Sequence, residues 1–221
     1  MQQILNISRS ALSEQAATAM PEFAKRVMDF GLVLLALPVV LPVILLISIA
    51  LGFQGFSVFY AQDRVGRDGR NFRIWKFRSM VPDADEMLAL HLAGNSQARA
   101  EWAASRKLRN DPRVTVFGRF LRASSLDELP QLWNILRGDM SLVGPRPVPR
   151  CELQEHYGEA ARAYLTCRPG LTGLWQISGR NSVPYDARIR MDRYYAWHRS
   201  LALDLAILGA TFAVVLRGEG L

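Results

Sequence analysis

Cysteine, histidine and acid are all scarce in this chain. Its 221 residues hold two cysteines, Cys151 and Cys167, and three histidines, His91, His156 and His198. Neither set has metal-ligand spacing, which argues against a zinc site, and two cysteines do not make a secreted disulfide scaffold. A reduced, cytosolic face is the simpler setting. Acidic side chains number 20 against 27 basic ones, a net charge of +7. That balance points to acidic partners: phosphorylated substrates, anionic lipid or nucleic acid. There is no Walker loop, dinucleotide fingerprint, H-E-x-x-H pattern or internal repeat, so the chemistries those motifs carry have no support.

Charge is missing altogether from Phe30 through Gln62. The apolar part of this run, Phe30 to Phe53, reaches the ~20 residues that a bilayer span needs. It is too long and begins too late for a secretory leader. Lys25 and Arg26 precede it, and Arg64, Arg67, Arg70, Arg73, Lys76 and Arg78 follow it. Lys and Arg favour the cytoplasmic side, so a simple span would strand one basic flank on the wrong side. Pro38 and Pro42 each remove a helical hydrogen bond within the run. The reading favoured over a kinked span is a proline-broken re-entrant helix within residues 21–56, entering and leaving one leaflet. Residues 1–20 read as a loosely ordered extension, and 57–221 as a cytosolic catalytic domain with interfacial helices.

The fold class expected is α+β and mainly helical, with one small β-hairpin. Val58-Phe59-Tyr60 and Phe72 to Phe77 are strand-forming, and Asp68-Gly69 between them is a favoured hairpin turn. Residues 83–109 read as a peripheral helical region split at Gly94-Asn95. A short helix is expected over about 149–164. The apolar stretch 201–216 contains Asp204 and is short for a span, which suits a helix packed on the domain or lying at the interface.

Asp127 and Glu128 stand side by side in Ser125-Leu126-Asp127-Glu128-Leu129-Pro130. If Asp127 caps the next helix, Pro130 falls among the first positions, whose N–H groups lack helical partners. The pair would then sit at a helix N-terminus, a natural phosphate site. Capping alone is the commoner use of acids there, and the residues by themselves leave both uses open. Gly138 should end this helix. Beyond it, Pro145 and Pro147 stiffen the backbone around Arg146.

Several motifs occur here in fixed order: Lys25-Arg26-Val27-Met28-Asp29-Phe30, the proline in the apolar run, Lys76-Phe77-Arg78-Ser79-Met80, Ser125 to Leu132, Gly138 to Pro147, and Arg168-Pro169-Gly170-Leu171-Thr172-Gly173. Together they resemble the bacterial sugar transferase family, the monotopic phosphoglycosyl transferases, over roughly residues 24–217. The resemblance implies transfer of a sugar-1-phosphate from a UDP-sugar, of galactose or glucose type, to undecaprenyl phosphate. UMP would be released, and Mg²⁺ would be required. It implies Asp127 as nucleophile, Glu128 as metal ligand and Pro42 as the bend of the membrane helix. Lys76, Arg78, Arg122, Arg146, Arg168 and Arg180 form the expected substrate-binding set. Leu41 departs from the serine often found before that proline, and Pro38 is an additional break, so the hinge position stays open. The expected location is the bacterial inner membrane, with the catalytic domain on the cytoplasmic face. No nucleic-acid partner is expected, and a homodimer is left open. The other reading of the residues is a membrane-anchored binder of anionic lipid or nucleic acid without catalysis.

Overall fold

The computed structural model describes residues 20–105, 108–179 and 183–216. The expected extension, apart from Met20, and Arg180 lie outside these residues. Helix α1 runs Glu22–Gly52 and the hairpin follows as β1 (Phe59–Val65) and β2 (Asn71–Phe77). The strands pair antiparallel, Phe59 with Phe77 and Val65 with Asn71. Asp68 at φ 57 and Gly69 at φ 75 turn the chain, as the Asp-Gly signal predicts.

Helices α2 (Ala84–Gly94) and α3 (Ser96–Ser105) break where Gly94-Asn95 predicts. Then come α4 (Val116–Ala123), a 3₁₀ turn at Leu126–Glu128, and α5 (Gln131–Arg137). Gly138 ends α5 at φ 91, the left-handed cap that glycine takes without strain. Strand β3 (Ser141–Val143) precedes α6 (Arg150–His156) and α7 (Ala160–Leu165). The single helix expected over 149–164 is therefore two, parted at Gly158, whose φ is 47. Strand β4 (Gly170–Thr172), the short α8 (Leu174–Ile177), α9 (Tyr185–His198) and α10 (Leu201–Leu216) complete the chain.

Helix α1 is long and apolar enough to cross a bilayer by length and composition. It stays helical through Pro38 and Pro42, so neither proline ends it. One face packs on the rest of the protein along its length. Val33, Leu37 and Val40 join Ile74, Leu132, Ile135 and Met140. Further along, Ile47 and Leu51 join Phe77 and Leu121. The opposite face leaves Leu34, Leu35, Val39, Leu41, Leu45, Leu46 and Ile49 exposed. A continuous apolar stripe of this size marks a surface that meets something other than water.

Ionic contacts fix the start of α1. Glu22 meets Arg67, Arg168 and Arg199 at 2.6, 2.6 and 2.8 Å. Three residues on, Lys25 Nζ lies 3.3 Å from Asp29 and 2.6 Å from Asp204 of α10. Asp29 also accepts from Ser141 Oγ at 2.7 Å and from the Leu142 amide at 3.2 Å. Helix α10 is thus packed on the domain, as expected for a stretch that carries an acid.

Parallel pairing of β3 with β4, Ser141 opposite Gly170 and Val143 opposite Thr172, brings two proline-arginine loops together. The contact admits no side chain. A Cβ on Gly170 would lie 2.1 Å from the Gly144 nitrogen, and one on Gly144 would lie 2.4 Å from the Arg168 carbonyl.

Candidate active site

Leu126 and Leu129 pack into the cluster of Ile47, Phe77 and Leu121, and they hold the 3₁₀ turn from both ends. The turn is entered through Ser125 in a left-handed conformation at φ 58, a geometry that concentrates at functional sites. Helix α5 begins only after it, with Pro130 at its N-cap. Asp127 is therefore not the cap that the spacing suggests. It stands one turn before α5, and packing of the two leucines overrides the shorter route into the helix.

The turn sets Asp127 against a cavity of about 840 Å³ that the hairpin, α4 and β4 also line. Asp127 is buried, 8% exposed. Burial pushes its carboxyl up to about 6; the Lys76 ammonium opposes the rise, Glu128 adds to it, and Arg122 opposes it. An acid held this way is ionised at neutral pH yet poorly solvated, the condition of a carboxylate that can attack.

Lys76 comes from β2, on the face opposite Phe77, and its Nζ lies 2.6 Å from Glu128 Oε1. Asn134 of α5 holds that strand in place. Its Nδ2 donates to the Arg73 carbonyl at 2.7 Å and its Oδ1 accepts from the Trp75 amide at 3.1 Å. Arg122 of α4 donates through Nε to Ser79 Oγ at 2.8 Å. This contact depends on close packing, because Gly118 on the same helix has the Ser79 carbonyl where a Cβ would be, 2.0 Å away. Burial lowers the Arg122 pKa, and the charges of Asp127 and Asp111 oppose the fall. Arg78 leans over the Tyr60 ring at 5.8 Å, and its Nε is buried without a hydrogen-bond partner. Arg146 lies over Trp175 at 5.1 Å.

Lys76, Arg78, Arg122, Arg146, Asp127 and Glu128 all line the one cavity. Arg168 does not join them. Its Nε donates to the Gly138 carbonyl at 2.9 Å and its NH1 to Glu22 at 2.6 Å, so it ties α1 to the end of α5. The pattern of Arg168-Pro169 mimics that of Arg146-Pro147, and only the fold separates them. Sequence reasoning also passed over Arg64, Trp175 and Gln176 as site residues, and all three line the cavity. Arg64 stood in the basic run after the membrane segment, which offered a signal. The other two had none.

Among the described residues no group of three or more His, Cys, Asp or Glu side chains forms a metal site. The donors at hand are the two neighbouring carboxylates beside an open cavity. That set suits Mg²⁺, which takes one or two carboxylates and fills its remaining positions with water and substrate phosphate.

The structure thus sets a buried acid and a rim of guanidinium groups in one cavity, on a protein whose apolar helix α1 has a bare face. A family model described as "Bacterial sugar transferase" matches residues 20–218, and the chain belongs to that family. It is 50% identical over 198 residues to the exopolysaccharide production protein ExoY of Rhizobium meliloti, covering 89% of this chain and 87% of that one. It is 48% identical over 198 residues to an undecaprenyl-phosphate galactose phosphotransferase of Salmonella typhimurium, covering 90% of this chain and 41% of that one. Identity to a UDP-galactose-lipid carrier transferase of Erwinia amylovora is 46% over 209 residues, 95% of this chain and 44% of that one. The chain thus spans less than half the length of the last two relatives.

Proposed function

We propose that this protein transfers a sugar-1-phosphate from a UDP-sugar to undecaprenyl phosphate with release of UMP, at the start of exopolysaccharide assembly. The observation that carries the reading is Asp127: a buried carboxylate in a cavity whose rim is Lys76, Arg78, Arg122 and Arg146. The names of the relatives favour galactose as the sugar.

In the first step an Asp127 oxygen bonds to the β-phosphorus of the UDP-sugar. The bond from that phosphorus to the bridging oxygen breaks, and UMP departs with the electron pair. The product is an acyl-phosphate sugar on Asp127. In the second step an oxygen of undecaprenyl phosphate attacks the same phosphorus and restores the carboxylate. Splitting the transfer this way lets two phosphate substrates use one site in turn. Arg146, Arg122 and Lys76 hold the phosphates, where a guanidinium fork gives geometry as well as charge. Glu128, with Asp127, would hold Mg²⁺, which when bound neutralises charge on the diphosphate.

Assays with radiolabelled UDP-galactose and UDP-glucose test this directly. UMP and lipid-linked sugar should accumulate together when undecaprenyl phosphate is present. Free sugar phosphate without a lipid acceptor would instead make the protein a hydrolase. Steeply salt-dependent binding without any turnover would make it a lipid or nucleic-acid binder. The attacking carboxylate must be ionised, so kcat/KM should fall as pH drops through about 6. A limb centred near 4, the ordinary carboxylate range, would mean that burial does not raise Asp127 in the working enzyme.

The catalytic domain belongs at the cytoplasmic face of the inner membrane, with α1 inserted from that side and returning to it. Both ends of α1 support this: Glu22 is held by Arg168 and Arg199, and Leu51 packs with Phe77 and Leu121. A perpendicular span would put the two ends of α1 on opposite faces of the ~30 Å hydrocarbon layer. Single cysteines at Phe23 and Phe53 should both be labelled from the cytoplasmic side by an impermeant maleimide. Labelling of the two from opposite sides would show a span.

A further inference from the structure

Arg146 is the cavity arginine with the most elaborate support, and that support comes from α9. Asp192 of α9 is 3% exposed. It accepts a hydrogen bond from the Tyr157 hydroxyl at 2.9 Å and another from the backbone amide of Arg146. Tyr157 is itself buried, in the cluster of Val148, Leu153 and Tyr164. The carboxylate therefore joins a rigid apolar cluster to the main chain of the Pro145-Arg146-Pro147 loop. The guanidinium at the other end of Arg146 lies over Trp175 at 5.1 Å, and Arg188 of α9 lies over the same ring at 4.8 Å. Trp175 is 3% exposed and cannot swing away.

Burial pushes Asp192 up to about 7, opposed by the Tyr157 hydroxyl, the Arg146 amide and the Arg146 charge. A carboxylate kept in such a place costs stability, and an apolar residue of similar size would avoid that cost. Its two hydrogen bonds show what it contributes instead: a fixed position for the Arg146 backbone. The loop is pinned on either side of Arg146, where the Pro145 carbonyl accepts from the Gly170 amide at 2.8 Å and the Val148 carbonyl from the Val65 amide at 3.0 Å. The bond to Asp192 adds a hold at the Arg146 amide between those two points.

We propose that Asp192 is a positioning residue for Arg146, acting through the Arg146 amide while Trp175 orients the guanidinium. The inference rests on the reading of the cavity as a UDP-sugar site. It adds α9, which contributes no residue to the cavity wall, to the machinery that binds the diphosphate.

A double-mutant cycle tests it. Asp192→Ala should lower kcat/KM for the UDP-sugar about tenfold in the natural background, through KM more than kcat. In an Arg146→Gln background the same change should cost less than about twofold, because its effect is spent through Arg146. Asp192→Asn keeps an acceptor oxygen and should restore activity to within about threefold. Equal losses in both backgrounds would overturn the proposal and make Asp192 a purely structural residue. If Asp192→Ala does not fold, Tyr157→Phe, which removes the hydroxyl that holds Asp192, runs the same cycle. UDP affinity, measured by calorimetry on each variant, separates the two readings. Absence of UMP release by the natural protein defeats the proposed reaction, whereas additive losses in UDP affinity defeat the positioning role.

Discussion

Asp127→Asn is expected to abolish UMP release and covalent labelling together, with a loss of at least about 1,000-fold in turnover. Asparagine keeps the size of the side chain and one carbonyl oxygen, so the cavity should survive. It loses the nucleophile. A purely electrostatic Asp127 would behave differently: turnover would fall, but label from the UDP-sugar would never have been on the protein to begin with. Trapped label in the natural protein and none in the variant is the required pair of results. Retained turnover in the variant would sink the assignment.

The same variant has an opposite effect on stability, and the sign follows from the pKa. The folded protein holds Asp127 at about 6 against an ordinary 3.8. Between these values the folded state binds more protons than the unfolded one. Stability from this group is therefore greatest below pH 4 and is lost as pH rises through 6. Asparagine removes that penalty. At pH 8 the ligand-free variant should be more stable by up to about 3 kcal/mol, read by denaturation in detergent, and the gain should disappear near pH 4. An inactive, stabilised variant is the signature of a site that gives up stability for function. An inactive, destabilised one would point to damaged packing instead.

How much of this was legible in the chain depended on whether the cause was local. The hairpin turn at Asp68-Gly69 and the stop at Gly138 need left-handed backbone conformations, and these residues advertise them. The break at Gly94-Asn95 was visible because both residues are poor helix formers, and Asn95 leaves the helix in an extended conformation at φ -135. The start of α5 was not, although Pro130 limited it. A 3₁₀ turn intervenes because Leu126 and Leu129 find partners on α1 and β2, and those partners are distant in sequence. Arg146 and Arg168 look alike, each next to a proline, yet one faces the cavity and the other ties α1 to α5. Asp192 sits within Asp186-Ala187-Arg188-Ile189-Arg190-Met191-Asp192-Arg193, a run that reads as a solvated helix face. Nothing in such a pattern reveals that one of its acids is buried.

Lys25→Met should cost about 3–5 kcal/mol, the price of leaving a buried charge without its partner. Two acids share this one lysine. Asp29 and Asp204 are each about 1% exposed, and Lys25 reaches them at 3.3 and 2.6 Å. The Tyr195 hydroxyl donates to Asp204 at 2.7 Å, and Ser141 donates to Asp29. Burial raises the Asp204 pKa, and the Lys25 charge is the main opposing influence. Methionine fills most of the lysine volume, so packing alone predicts a small loss. Removing the charge instead sets two buried carboxylates against each other where α1, β3 and α10 meet. Asp204 would then be driven further towards the protonated form, so its folded pKa would rise further above its unfolded value. The variant's deficit should consequently be largest at pH 8 and shrink towards pH 5. Asp204→Asn in the same background should recover part of the loss, since one fewer carboxylate is left uncompensated. A deficit that stayed constant from pH 5 to pH 8, or one that Asp204→Asn deepened, would mean that Lys25 acts through its aliphatic stem and not as the counter-charge that docks α1 on β3 and α10.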